Sequence, residues 1–143
     1  MNSPHVVAEP PILYLGTPVV LVSTVNEDGG HNLAPISSAF WLGWRGVLGI
    51  ASASQTTRNL LRTGECVLNL PSVNEVGAVD HIARTTGVHP VSDFKQAMGY
   101  VYEPDKFGRA GMNDIGIGYR RGCARARVPD TARSCGCGSS RHR

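Results

Sequence analysis

The run Pro18–Thr24 (PVVLVST) is apolar and β-branched, the pattern of a strand, and Asn26-Glu27-Asp28-Gly29-Gly30 after it has hairpin-turn chemistry. His31–Ala34 should then start the returning strand. Phe40–Ile50 (FWLGWRGVLGI) is aromatic and apolar; Gly46 suits a second turn, and Gly43 and Gly49 suit bends of a barrel strand. Strand, turn, strand, loop, strand predicts an antiparallel barrel or sandwich. Ala51–Gln55 reads as a small polar loop. Thr56 is a plausible N-cap for a short helix, Thr57–Arg62, with Leu60 and Leu61 facing inward and Gly64 ending it.

Cys66–Leu70 (CVLNL) predicts a buried strand stopped by Pro71, and Glu75–Arg84 carries Val76, Val79 and Ile82-Ala83 at helical spacing. Gly87–Gly99 reads as a connection with a short helix, and Tyr100–Tyr102 as a brief extended piece. After Ile117 the pattern ends. The segment from Gly118 onward is rich in Arg, Gly, Ser and Cys, with Val128 its only larger aliphatic residue after Tyr119. Such a segment has no face to bury and is expected to be disordered.

A length of 143 residues allows one domain with one core, and 41% apolar with 17% charged residues fits a soluble globular protein. The expected organisation is an N-terminal extension over 1–10, a domain over 11–117 and the tail over 118–143. No apolar run approaches the roughly 20 residues that span a bilayer. Met1–Pro11, with Glu9 and three prolines, lacks the positive start of a secretory signal, so a cytoplasmic location is expected. The net charge of +3 comes from the tail, where seven of the fourteen basic residues face a single acid, Asp130. The body is mildly acidic, which argues against a nucleic-acid surface. Cys66 is then a buried small apolar residue rather than half of a disulfide.

Two stretches carry candidate chemistry. In Asn32–Phe40 (NLAPISSAF), Pro35 should break the strand ladder and expose backbone groups beside Ser37 and Ser38, suited to the polar edge of a flat ligand. A tight turn explains the same residues. In Ser52–Asn59 (SASQTTRN), a hydroxyl-rich loop enters a helix N-terminus, where free N–H groups and the helix dipole suit a phosphate. Ser54, Thr56 and Thr57 could add hydroxyls and Arg58 a charge, although an ordinary cap explains these residues too. His31, His81 and His89 lack ligand spacing, Cys135-Gly136-Cys137 fits neither a zinc nor a redox motif, and no metal site is supported. No nucleophile triad, phosphate loop or dinucleotide fingerprint is present.

Taken together, the chain resembles the flavin reductase-like family, which includes flavoredoxins and the reductase components of two-component monooxygenases. The matching residues are Thr17–Thr24, Asn32–Phe40 and Ser54–Leu70, then Thr86-Gly87, Lys95, Gly99-Tyr100, Asp105-Lys106-Phe107 and Ala110-Gly111, in order and spacing. The resemblance implies a mainly β fold with short helices, an FMN-binding split β-barrel of Greek-key-like antiparallel form. It also implies a homodimer with FMN near the subunit interface, with a flavin-dependent monooxygenase as a candidate partner. By this similarity Ala34, Pro35, Ser37 and Ser38 line the ring edge. Ser52, Ser54, Gln55, Thr56 and Asn59, with Thr57 and Arg58 as lesser contributors, hold the ribityl chain and phosphate. The implied reaction is hydride transfer from NADH or NADPH to flavin, with no catalytic side chain assigned because the cofactor does the chemistry. A non-enzymatic FMN-binding protein and an inactive fragment are the alternatives.

The sequence departs from the family after Gly111. Family members continue into further strands that open with a segment like R-E-C-P-I-Q-L-E-A, and those closing strands are missing here. Codons exist for Ala126–Arg133 that, read one base later, encode R-E-C-P-I-Q-L. The tail is therefore expected to be the out-of-frame end of a longer gene. The loss would leave an open sheet edge and an uncovered apolar face, with poor solubility and weak FMN binding.

Overall fold

The computed structural model describes residues 16–43 and 45–113, and the backbone of 123–127. The expected N-terminal extension and the tail positions 118–122 and 128–143 lie outside the described residues. In chain order the elements are β1 Val20–Val25, β2 His31–Ile36, β3 Ala39–Leu42, β4 Arg45–Leu48, α1 Gln55–Thr63, β5 Glu65–Asn69, α2 Val76–Ala83, β6 Thr85–Thr86, α3 Asp93–Ala97, β7 Val101–Tyr102, α4 Lys106–Ala110 and β8 Cys123–Arg127. A single 3-10 turn, Val73–Glu75, leads into α2.

The unbroken apolar run makes β1 the strand that both cores share. Val20 and Val22 face a cluster with Cys66 and Leu68, packed by Ile36, Ala39, Leu48 and Leu60. Leu21 faces the other way, onto Leu33, Ile82 and Ala110, with Val79, Phe107 and Met112 against them. A strand buried on both faces needs apolar residues at consecutive positions, which is why the period of two is lost here. Each large aliphatic side chain buried this way contributes about 1.5–3 kcal/mol.

The main sheet is antiparallel in the order β2-β1-β5-β8; β3 and β4 form a separate hairpin, and β6 and β7 pair in parallel. With α2 and α4 covering one face, the described fold is mixed α/β rather than mainly β. Among the described residues the main sheet is open rather than closed into a barrel, with β2 and β8 as its edges.

Several sequence expectations move. Pro35 does not end its strand: β2 runs through it to Ile36, with Pro35 opposite Leu21. An edge strand tolerates proline because one side of its backbone has no ladder to complete. The second hairpin turns at Gly43, whose φ of 59° supplies the left-handed conformation, and not at Gly46. Gly46 lies inside β4 opposite Trp41, where a Cβ would meet the indole Nε1 at 3.3 Å. Leu61 is exposed rather than inward, and only Leu60 of the pair packs on the core.

The tail is not wholly without order. Cys123–Arg127 pairs antiparallel with β5 over Glu65–Asn69. Strand addition needs only backbone donors and acceptors at a sheet edge, so the missing side-chain period did not forbid it.

Cys66 is 2% exposed, and burial pushes its thiol up to about 11, so the reactive thiolate is scarce near neutrality. Alkylation of the native chain followed by peptide mapping should leave the Cys66 peptide unmodified. The same reagent in denaturant should modify it fully.

Candidate functional site

Hydroxyl and amide side chains decide where α1 sits. Ser54, in extended conformation, is the N-cap, and its Oγ accepts the Thr57 N–H at 3.1 Å. The cap is thus two residues earlier than the expected Thr56. Thr56 is instead drawn into the interior, where its Oγ1 accepts from Asn32 Nδ2 at 3.0 Å. Asn59, 1% exposed, donates to Thr24 Oγ1 at 3.0 Å and to Asn26 Oδ1 at 2.7 Å, and its own Oδ1 accepts from Gln55 Nε2 at 2.9 Å. These bonds dock a polar stripe of α1 on the β1–β2 hairpin and leave the first turn facing a cleft of about 290 Å³.

The cleft brings the two candidate stretches together. Ala34, Pro35, Ser37 and Ser38 line one side, and Ser54, Gln55 and Thr56 line another. Ser52, Thr57 and Asn59 do not line it. The Thr57 hydroxyl donates to the Ala51 carbonyl at 2.9 Å, Asn59 is held inside the helix-docking network, and Ser52 is exposed on the preceding turn. Arg58, the lesser candidate, is exposed on α1 and is absent from the lining as well. Ser38 and Gly49 close one rim: Gly49 N–H donates to the Ser38 carbonyl at 2.7 Å, and a Cβ on Gly49 would come within 2.9 Å of Ser38 Cβ.

A third wall comes from Thr85, Thr86 and Gly87 with Lys95, Tyr100 and Lys106. Lys95 Nζ donates to Thr86 Oγ1 at 3.2 Å and lies 5.7 Å over the Tyr100 ring. Lys106 is 5% exposed and makes no hydrogen bond or ion pair with a described residue. Burial, and next the Lys95 charge, pull its ammonium down to about 8 against a smaller upward pull from Glu103. No Asp or Glu lines the cleft among the described residues. Two lysines and a helix N-terminus give this cleft a positive character of the kind that suits an anion.

The family model for the flavin reductase like domain matches residues 13–115. The chain belongs to the flavin reductase-like family. It is 35% identical over 107 residues to YdfE, an uncharacterized protein of Bacillus subtilis (strain 168), covering 75% of this chain and 52% of that protein. Among solved structures it resembles the flavoredoxin of Desulfovibrio vulgaris (Miyazaki F), with a TM-score of 0.52 at 20% identity, covering 68% of this chain and 53% of the other. An FMN-binding domain of a flavin reductases-like enzyme from Shewanella baltica OS155 gives a TM-score of 0.52 at 16% identity, covering 80% and 59%. Nitrilotriacetate monooxygenase component B from Bacillus cereus gives 0.50 at 14%, covering 89% and 80%. At these identities the structures show the shared fold. The chain spans about half the length of YdfE and of the flavoredoxin.

Within this flavin reductase-like domain, sequence reading of the site residues passed over Lys106 and the Thr85–Gly87 wall. The signal for both was in the sequence, since Thr86-Gly87 and Asp105-Lys106-Phe107 are among the residues that carry the family resemblance, but nothing local placed them beside the other two stretches. No helix among the described residues is long and apolar enough to cross a membrane. Among them no three His, Cys, Asp or Glu side chains converge as metal ligands would.

Asn59→Ala removes the amide that joins Thr24, Asn26 and Gln55 and should cost about 1–3 kcal/mol, read as a lower urea midpoint. Lys106 sets a pH dependence. Between about 8 and its ordinary 10.5 the unfolded chain holds the Lys106 proton more tightly than the folded chain, so its contribution to stability climbs as pH rises through that window. Thermal melts across this range should show the climb in the native chain and lose it in Lys106→Met, which should also be the more stable protein near neutrality.

Proposed function

We propose that this chain binds FMN in the cleft and works as an oxidoreductase of the flavin reductase type, taking a hydride from NADH or NADPH. The observation that carries the reading is the convergence of Pro35–Ser38, the first turn of α1 and two lysines on one cleft, with no lining carboxylate among the described residues. The donor set suits a phosphate monoester. The Gln55 and Thr56 N–H groups stand at the start of α1, where a helix offers no intrahelical acceptor, and Lys95 and Lys106 supply the charge. Two further features fit a polar ligand held closely. Asn32 Oδ1 is buried without a partner among the described residues beside this wall, and a Cβ on Gly87 would come within 3.0 Å of it and 3.2 Å of Gln55 Cγ.

When bound, FMN supplies the hydride-accepting chemistry; the chain supplies position and charge. Ser54 holds the helix start in place through its cap, so that the amides of Gln55 and Thr56 would hold the phosphate. Ala34, Pro35, Ser37 and Ser38 line another side, where they would hold the ring edge. The cleft lies at the lower end of the roughly 300–1,000 Å³ usual for small-molecule pockets. A second subunit would complete its outer wall. The β3–β4 hairpin supports such a dimer, since Phe40, Trp41, Leu42 and Val47 leave apolar surface exposed beside β2. A flavin-dependent monooxygenase is a suitable consumer of the reduced flavin.

The chain spans only about half of YdfE and its sheet is open, so a flavin-binding protein without reductase activity is the second reading. Purification followed by an absorption spectrum tests binding, with one FMN per subunit expected. NADH and NADPH oxidation with added FMN tests turnover. Bound flavin without oxidation of either nicotinamide selects the second reading, and a chain that never takes up FMN overturns both. Gly87→Ala should weaken FMN binding several-fold, because the new methyl displaces Gln55 or Asn32, and fluorescence titration reads the change.

A further inference from the structure

We propose that Lys106 is the phosphate counter-charge of this site and that FMN enters with a proton, which Lys106 takes up on binding. The inference rests on the FMN reading and adds to it the regulation of that site by pH.

The geometry leaves Lys106 in an unusual position. It is 95% buried and lines the cleft, and no described side chain or carbonyl pairs with it. A lysine this largely desolvated holds its charge at a cost, and an anion entering the cleft that it lines would offset that cost. The charged groups nearby do not do so. Lys95, from α3, repels it. Glu103, before α4, is the favourable charge, but its carboxylate already accepts from Arg109 at 3.3 Å and from the Asp105 N–H at 3.0 Å. Asp105 caps α4 through the Gly108 N–H at 2.8 Å. On the elements packed against α4, α2 carries Asp80 and His81, and β2 carries His31, whose ring meets Phe107 at 6.5 Å. Neither element places a carboxylate among the cleft-lining residues.

A phosphate monoester has the missing charge. With its second ionisation near about 6 it carries close to two negative charges above neutrality. Placed between the α1 N-terminus, Lys95 and Lys106, it raises the proton affinity of Lys106. The empty site holds this lysine largely neutral above about 8, so binding there draws a proton from solvent. Affinity for FMN should then fall about tenfold for each pH unit above that point. Riboflavin lacks the phosphate and should show no such fall.

Calorimetric titration of the full chain with FMN and with riboflavin, in two buffers of different ionisation enthalpy, measures both quantities. Close to one proton should be taken up per FMN at about pH 9, little at about pH 7, and none with riboflavin at either. Lys106→Met should abolish the uptake and flatten the pH profile, while its melting temperature near neutrality reports that it is folded. FMN binding with equal affinity and no uptake at about pH 9 overturns the inference and leaves the FMN reading standing. A riboflavin profile as steep as that of FMN overturns the phosphate assignment. Failure to bind FMN near neutrality overturns both.

Discussion

The position of the cleft depends on one polar contact: the buried amide of Asn59 bridging Thr24 of β1, Asn26 of the first turn and Gln55 of α1. Asn32 extends the bridge to Thr56. A nine-residue helix is too short to hold itself in water, so its orientation comes from what it packs against. Here hydrogen bonds of Asn59, Thr56 and Gln55 add to the apolar contact of Leu60. Side-chain hydrogen bonds are directional where apolar contact is not, and they aim the first turn of α1 at the end of β2. The hydroxyls and amides at 54–56 therefore face Pro35–Ser38 instead of solvent.

The opposite wall is built on a different compromise. The second core, Leu21, Leu33, Ile82 and Ala110 with Phe107, brings α4 down on the sheet and carries Lys106 inside with it. Apolar burial of the neighbours offsets the cost of desolvating one ammonium. The fold is less stable near neutrality for holding that charge.

Much of the architecture was legible along the chain. The β1–β2 hairpin, the end of α1 at Gly64, the buried β5 with Cys66, and α2 with Ile82 inward follow from runs, turns and periods that act over a few residues. The errors share a cause. Thr56 as cap, Leu61 as core and Pro35 as breaker each treated a local preference as final, where a partner elsewhere in the fold decided the outcome. Asn32 claimed the Thr56 hydroxyl, the amide bridge set the rotation of α1, and edge position excused the proline. β8 is the extreme case. Its composition gives no sign of a strand, yet β5 offers it a row of backbone donors and acceptors.

By itself the sequence determined the strand and helix succession through its apolar periods, the glycines that must turn, and the two small-residue stretches able to meet a ligand. It did so because those properties depend on neighbours a few positions away. Only the tertiary structure decided that the two stretches line one cleft, that Asn59 supports the site without lining it, and that Lys106 stands largely buried beside them. Burial and pairing are set by residues distant in the chain, and a lysine carries the same letter in solvent as in a cleft.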